Sequence, residues 1–268
     1  MILNILYAFL TVTILGAILG IGLAYASKKL AVKKDDRIAA VETVLPGANC
    51  GACGYAGCAA YAEAVALKDA DMTLCGPGGA SVVKLIADIM GKQADAGSDR
   101  KMVARVHCFG NHETTSDDYA YEGLEDCNAV HMMFQGDKSC KYGCLALGSC
   151  IKVCPADAII KRNDGRIHVD RDRCISCEKC VTVCPTGVMK MIPYDAEYYI
   201  ACNSNDKGGT VKKTCSVGCI GCKICEKKFP DAAFTITNFL AYIDYDKEAK
   251  DQDKAAQACP VSCIRLID

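Results

Sequence analysis

Four cysteines in the second half of the chain have the spacing of ligands to an iron–sulfur cluster. Cys174, Cys177, Cys180 and Cys184 precede Pro185 in the pattern Cys-x-x-Cys-x-x-Cys-x-x-x-Cys-Pro. Three thiols of such a run bind one 4Fe–4S cluster, whereas the fourth binds a neighbouring cluster. The run therefore predicts one-electron chemistry and a second cluster close by.

The partner run lies upstream and is less regular. It ends at Cys154 before Pro155, and its other cysteines are more widely spaced: Cys140, Cys144 and Cys150. The crossover rule predicts two ligand sets: Cys140, Cys144, Cys150 and Cys184 for one cluster, and Cys154, Cys174, Cys177 and Cys180 for the other. Residues 159–162 and 166–169 flank an Asn-Asp-Gly turn, the pattern of a hairpin. This duplicated segment is similar to bacterial ferredoxin, a small α+β fold.

A second cysteine group lies in a glycine-rich stretch near the N-terminus. Its members are Cys50, Cys53, Cys58 and Cys75. Glycines let the backbone turn tightly around a bulky inorganic group, and the residues after Cys58 favour a helix. We expect one 4Fe–4S cluster here. A zinc site is the alternative, because four thiolates also bind zinc.

The ferredoxin repeat recurs in altered form in the last seventy or so residues. Cys219, Cys222 and Cys225 have ligand spacing, but Phe229 stands before Pro230 where a fourth cysteine belongs. Counting back from Cys259 and Pro260, the other ligand positions hold Ala249, Gln252 and Ala255. All four missing thiols belong to one cluster under the crossover rule. A fourth cluster is therefore expected on Cys219, Cys222, Cys225 and Cys259, the alternative being decay that leaves no cluster.

Five further cysteines have no place in these motifs. They are Cys108, Cys127, Cys202, Cys215 and Cys263. Lone cysteines usually pack as small hydrophobic residues, so we expect buried thiols.

The composition limits the class of protein. The 268 residues include 21 cysteines and no basic region of a secretory signal, so disulfides are a weaker interpretation than metal ligation. The formal net charge is -1, and the chain has no Trp and only 6 Phe. Without a basic surplus or an aromatic stacking platform, nucleic acid is not expected as a partner.

The first 26 residues form an apolar segment. No side chain from Ile2 to Ala26 is charged, and about 25 helical residues reach roughly 37 Å, enough to cross a bilayer. Basic residues follow at once: Lys28, Lys29, Lys33, Lys34 and Arg37. Positive charge beside a membrane helix stays on the cytoplasmic side, so a single-pass anchor with a cytoplasmic body is expected. A cleaved signal peptide is the alternative.

The predicted fold class is α+β. We expect a transmembrane anchor (1–27), a 4Fe–4S domain (28–93), a connecting segment (94–135), a two-cluster ferredoxin domain (136–193) and a degenerate one-cluster ferredoxin-like domain (194–268). Within them, the patterns favour helices over 81–93 and 123–134, a strand over 102–108 and a polar boundary loop over 94–100.

The order of these features resembles the B subunit of the Rnf complex over essentially the full chain. The resemblance implies a membrane assembly that passes electrons between reduced ferredoxin and NAD while moving Na⁺ or H⁺ across the membrane. It also implies partner subunits that carry flavins, and a role for this subunit as an electron relay on the cytoplasmic face. The number of clusters in the C-terminal part varies within this family.

The residues indicate electron relay without a catalytic site of the chain's own. We find no glycine-rich nucleotide loop after a strand, nucleophile elbow or paired acid and base. Alternatives are a membrane-tethered redox sensor, a donor to another reductase, or a reductase with its own nucleotide. Lysines around the last module could attract an acidic ferredoxin or simply be solvated: Lys207, Lys212, Lys213, Lys223, Lys227 and Lys228.

Overall fold

The computed structural model of the protein describes residues 2–29, 35–93 and 100–267. Lys33 and Lys34, and residues 94–99 of the predicted boundary loop, lie outside this part. The helices are α1 (Ile2–Lys29), α2 (Asp36–Val44), α3 (Cys58–Lys68), α4 (Gly79–Met90), α5 (Cys127–Met132), α6 (Ser149–Lys152), α7 (Lys179–Val183), α8 (Gly208–Thr214), α9 (Ile224–Lys228) and α10 (Gln252–Gln257). The strands are β1 (Met102–Val106), β2 (Ile159–Lys161), β3 (Ile167–Val169), β4 (Met189–Pro193), β5 (Tyr198–Ile200), β6 (Phe234–Thr237), β7 (Leu240–Ile243) and β8 (Ile264–Leu266).

Helix α1 is apolar and stands clear of the rest of the chain. Its segment Phe9–Lys29 has a mean hydropathy of 2.1 and is not buried against other elements. The helix ends at Lys28 and Lys29. Its 28 residues span about 42 Å, so length and composition allow it to cross a membrane.

Three helices form the small core of the N-terminal domain. Helix α2 packs on α3 and α4, and their buried faces meet at Val41, Tyr61, Val65 and Ile86. The Tyr61 hydroxyl donates a hydrogen bond to the carbonyl of Asp71 at 2.8 Å. This core includes Cys75 and contacts Cys53 and Cys58, so its packing fixes the loop that carries the first cysteine group.

Ile86 is the side chain in this core whose truncation we expect to matter most. It has no exposed surface, so Ile86→Ala would leave a cavity and cost about 3 kcal/mol of unfolding free energy. Thermal unfolding of the anaerobic protein, followed by circular dichroism, should show a lower midpoint. The matched control is Leu85→Ala on the exposed side of the same helix, where we expect little change. Equal effects of the two variants would contradict this account of the core.

The remainder of the chain consists of two modules with the same order of elements. In the first module (102–193), β1 pairs antiparallel with β4, and β2 and β3 form a hairpin between helices α6 and α7. In the second module (198–266), β5 pairs antiparallel with β8, and β6 and β7 form a hairpin between α9 and α10. Strand β1 comes from the predicted connecting segment but shares a sheet with β4. The duplication therefore includes a strand upstream of each cysteine run.

Candidate metal centres

The N-terminal cysteine group converges on one site. Burial raises the pKa of the Cys75 thiol, and the neighbouring charges of Cys58, Cys50 and Cys53 raise it further. The amide of Cys58, at the start of α3, donates to the side-chain oxygen of Asn49 at 2.8 Å. These four thiols therefore lie near one another, in a loop that the start of α3 and the core hold in place.

The regular run of the first module also converges. Burial raises the pKa of Cys180 to about 12, and the charges of Cys174, Cys177, Cys150 and Cys154 act in the same direction. Backbone amides already point at the sulfurs: Ala158 N–H lies 3.4 Å from Cys154 Sγ, and Ala104 N–H lies 3.5 Å from Cys174 Sγ. Such amide donors stabilise thiolates bound to a cluster and tune its potential.

Three ligand loops share one unusual backbone conformation. In each loop, two residues have a positive φ, with one residue between them. They precede the helical turn that carries the last thiol of the loop. They are Ser176 and Glu178 before Cys180, Gly221 and Lys223 before Cys225, and Ala146 and Gly148 before Cys150. Non-glycine residues rarely adopt this region, so its recurrence aligns the loops residue by residue.

This alignment identifies a gap in the irregular run. Cys144 and Cys150 match the first and third thiols of the other two loops. The middle position holds Cys177 in one loop and Cys222 in another, but Leu147 here. The loop therefore supplies two ligands where its counterparts supply three.

Cys127 lies at the same cavity as the two thiols of this loop. A single cavity is lined by four cysteines, Cys127, Cys144, Cys150 and Cys184. Cys127 is the first residue of α5, and its amide donates to the Ser149 hydroxyl at 2.8 Å. That hydroxyl in turn donates to the Asp126 carboxylate at 3.0 Å. The thiol is thus tied to the residue before Cys150.

Cys140, which the sequence grouped with Cys144, lies elsewhere. It lines a different cavity, together with Cys108, Cys202 and Cys215. The set of cysteines predicted from the sequence therefore differs at one residue from the set that lines the cavity. The sequence offers Cys140 as the nearest cysteine in the run, because Leu147 stands where a thiol is missing. The signal for Cys127 is not local, since 17 residues separate it from Cys144.

The C-terminal cavity is lined by five cysteines: Cys219, Cys222, Cys225, Cys259 and Cys263. Hydrogen bonding with the Cys263 thiol lowers the pKa of Cys219 to about 6 and that of Cys259 to about 5. The same bonds, with burial, raise the pKa of Cys263. Cys263 therefore lies beside Cys219 and Cys259, and either thiol of the pair Cys259 and Cys263 can donate the hydrogen bond between them.

The second module has no thiols at the positions of its other cluster site. Phe229 packs against a core that includes Ala255, which is 1% exposed. The Gln252 side-chain amide donates to the carbonyl of Ala232 at 3.3 Å. Side chains thus occupy the positions whose counterparts in the first module are thiols.

The spacing of the sulfurs fits a cluster better than zinc. Tetrahedral zinc with Zn–S bonds of about 2.3 Å brings its sulfurs to about 3.8 Å from one another. Within the described ranges, no three cysteine sulfurs lie within 4.8 Å of one another. A cubane binds each cysteine through a different iron atom and therefore needs more widely spaced sulfurs. Donor type, spacing and amide donors all fit 4Fe–4S clusters.

Duplicated ferredoxin modules with several four-thiol sites, behind an apolar helix, define a multi-cluster iron–sulfur electron-transfer protein. An Fe-S cluster family model matches residues 45–77, and a 4Fe-4S binding domain model matches residues 166–189. The chain belongs to the B-subunit family of Rnf ion-translocating oxidoreductase complexes, as three relatives show.

Each relative is 40% identical to the chain. The B subunit of the Na⁺-translocating ferredoxin:NAD⁺ oxidoreductase complex of Acetobacterium woodii aligns with 94% of the chain and 74% of its own length. The B subunit of the ion-translocating oxidoreductase complex of Methanosarcina acetivorans aligns over 94% of both. The B subunit of the proton-translocating ferredoxin:NAD⁺ oxidoreductase complex of Clostridium ljungdahlii aligns with 98% of the chain and 93% of its own length. The predicted family and function are confirmed: the protein is a membrane-associated iron–sulfur electron-transfer subunit of an Rnf complex, with other subunits as partners.

Proposed function

We propose that the chain relays electrons from reduced ferredoxin toward NAD inside a complex that moves Na⁺ or H⁺ across the membrane. The observation that carries this proposal is the set of neighbouring four-thiol sites in ferredoxin-type modules. The names of the relatives supply the reaction, ferredoxin:NAD⁺ oxidoreduction, and both ions. The chain's own residues bind and insulate redox groups, and the nicotinamide chemistry belongs to partner subunits.

Four ligand sets belong to this proposal. They are Cys50, Cys53, Cys58 and Cys75; Cys154, Cys174, Cys177 and Cys180; Cys144, Cys150 and Cys184 with Cys127 in place of Cys140; and Cys219, Cys222, Cys225 and Cys259. A bound 4Fe–4S cluster takes up and releases one electron without breaking a bond. The protein supplies thiolates and amide donors to sulfur, and it buries four of the ligands, Cys75, Cys180, Cys219 and Cys225.

The second module is the proposed docking face for ferredoxin. Cys222 is exposed, so this site lies near the surface. Six lysines belong to the same module: Lys207, Lys212, Lys213, Lys223, Lys227 and Lys228. An acidic ferredoxin would be attracted by these lysines.

Helix α1 is the proposed single-pass anchor. Its apolar side chains from Phe9 onward are exposed, and lipid would cover them. Lys28 and Lys29 support a cytoplasmic position for its C-terminal end and for the domains that follow, because positive charge beside a membrane helix favours that side. The domain limits 28–93, 94–135, 136–193 and 194–268 remain predictions beside this anchor (1–27).

Anaerobic purification of the tagged chain from native membranes in mild detergent tests this function. We expect flavin-carrying subunits to copurify, at least about sixteen iron atoms per chain and an equal amount of acid-labile sulfide. Addition of reduced ferredoxin should bleach the iron–sulfur absorption within the purified complex. Zinc or cystine in place of iron, or clusters that reduced ferredoxin does not reduce, would refute the proposal.

A further inference from the structure

Four cysteines outside the ferredoxin motifs line one cavity between the two modules. Cys108 and Cys140 come from the first module and Cys202 and Cys215 from the second. In sequence the four are spread over more than one hundred residues, and their spacing resembles no ligand motif. The fold alone brings them together.

Cys108 and Cys202 occupy equivalent positions of the duplication. Val106, the last residue of β1, pairs with Met189, and Ile200, the last residue of β5, pairs with Ile264. The next amide continues each ladder: His107 N–H donates to Val188 O and Ala201 N–H to Cys263 O, both at 2.7 Å. Each cysteine follows that residue, so both leave their sheets at the same point.

Cys140 and Cys215 are a second equivalent pair. Each stands four residues before the first ligand of its module, in the same pattern Cys-x-x-Gly-Cys. Each glycine lies next to the sulfur of its cysteine: a methyl group on Gly143 would lie 3.7 Å from Cys140 Sγ, and one on Gly218 would lie 3.6 Å from Cys215 Sγ. The site thus takes one matched pair of thiols from each module.

The sulfurs converge on the cavity and already accept hydrogen bonds. A methyl group on Gly110 would lie 3.6 Å from Cys215 Sγ and 3.8 Å from Cys108 Sγ, so both sulfurs flank this glycine. Thr115 Oγ1 donates to Cys215 Sγ at 3.6 Å, and the Ser204 amide donates to Cys202 Sγ at 3.5 Å. These are the donors that a thiolate bound to a cluster requires.

A buried cation lines the same cavity. Lys138 is 2% exposed, and its ammonium group donates to the carbonyl of Cys144 at 2.8 Å. In the part of the chain that the structure covers, no carboxylate forms an ion pair with it. Burying such a charge is costly unless a negative group compensates it. A 4Fe–4S cluster with four thiolates carries that negative charge.

We propose that Cys108, Cys140, Cys202 and Cys215 bind a fifth 4Fe–4S cluster shared by the two modules. The inference rests on the proposed function, in that the chain must be loaded with clusters. With this site, Cys263 is the one cysteine of the chain without a ligand role. Within the described ranges, no three of its sulfurs lie within 4.8 Å of one another, whereas tetrahedral zinc holds its sulfurs about 3.8 Å apart.

The fifth site lies between two neighbouring sites. Gly143 lines this cavity and is the residue before Cys144, a proposed ligand of the neighbouring site in the first module. On the other side, Gly218 lines the cavity and is the residue before Cys219 of the second module. The site therefore connects the paired clusters of the first module with the single cluster of the second, which would otherwise be isolated.

Iron analysis of serine variants tests the site. The anaerobically purified chain should contain about twenty iron atoms, and Cys108→Ser and Cys215→Ser, one from each module, should each lower this to about sixteen. The double variant should also contain about sixteen, because both thiols serve one cluster. Cys263→Ala is the matched control and should keep about twenty. Electron paramagnetic resonance of the reduced protein should lose one spin per chain in the serine variants.

The outcomes separate this inference from the function itself. About sixteen iron atoms in the parent chain, unchanged in both serine variants, would overturn the fifth cluster and leave the four-cluster relay intact. One zinc per chain, lost in the variants, would also overturn it. A parent chain without iron or sulfide would refute the proposed function. A variant that loses all its iron has failed to fold, and the parent count then decides.

Discussion

Replacing Cys127 by serine is expected to lower the iron content by about four atoms per chain. Cys127 lines the same cavity as Cys144, Cys150 and Cys184, although it belongs to no cysteine motif. Without this thiol the cavity offers three ligands, and a 4Fe–4S cluster with an open iron is labile. Iron and sulfide analysis after gel filtration, with electron paramagnetic resonance of the reduced protein, would measure the loss.

A second substitution should restore the cluster. Leu147 stands at the loop position that Cys177 and Cys222 occupy in the two aligned loops. In the Cys127→Ser background, Leu147→Cys would complete the regular four-ligand pattern, and the iron content should return to its parent value. Leu147→Ser in the same background is the control and should restore nothing. If Leu147→Cys fails while the protein remains folded, the loop alignment does not hold.

The Cys127→Ser and Cys140→Ser pair distinguishes the geometry from the grouping that the sequence predicts. If Cys140 and Cys144 served one cluster, Cys127→Ser would change nothing and the double variant would lose about four iron atoms. Because the two thiols line different cavities, we expect the double variant to lose about eight. A loss of about four in the double variant would contradict the arrangement.

Much of the fold was predictable because its signals are local. The run from Cys174 to Pro185 specifies both a ligand loop and the presence of a partner site. The Asn-Asp-Gly turn predicts the hairpin that the structure forms from β2 and β3, and the alanine-rich stretch after Cys58 predicts α3. The strand expected over 102–108 and the helix over 81–93 correspond to β1 and α4.

The sequence did not predict Cys127 as a ligand, because the ligands of one cluster need not come from one loop. Leu147 already marks the gap in the sequence, since Cys144, Leu147, Cys150 and Cys154 have the regular spacing with one thiol replaced. The replacement for that thiol depends on Asp126 and Ser149, which hold the start of α5 against α6. This contact is tertiary, and no periodicity predicts it.

The sequence contains only a weak signal for the proposed fifth cluster site. The pattern Cys-x-x-Gly-Cys occurs at Cys140 and again at Cys215, so the duplication extends four residues upstream of the ligand runs. Cys108 and Cys202 become equivalent only once β1 is paired with β4 and β5 with β8. Antiparallel pairing between distant segments is what a single sequence specifies least well.

Cys259→Ala is expected to remove about four iron atoms, whereas Cys263→Ala should remove none. Both thiols line the C-terminal cavity, and their sulfurs are 3.6 Å apart. The repeat distinguishes them, because Cys259 precedes a proline as Cys154 and Cys184 do. Cys263, four residues later, matches the buried Ala158 and Val188. Cys263 is therefore a core residue that hydrogen-bonds to the ligands, and its loss should shift the potential of this cluster rather than remove it.

The site of this module that lacks its four cysteines allows a second test. Phe229→Cys restores one thiol of a site whose other three positions hold Ala249, Gln252 and Ala255, so it should add no iron. It should instead destabilise the module, because Phe229 packs against the core that contains Ala255. We expect iron analysis and spin quantification by electron paramagnetic resonance to show that Cys259→Ala loses one cluster, that Cys263→Ala retains it and that Phe229→Cys gains none. Loss with Cys263→Ala and retention with Cys259→Ala would mean that the fourth ligand is Cys263 and that the repeat misaligns this loop.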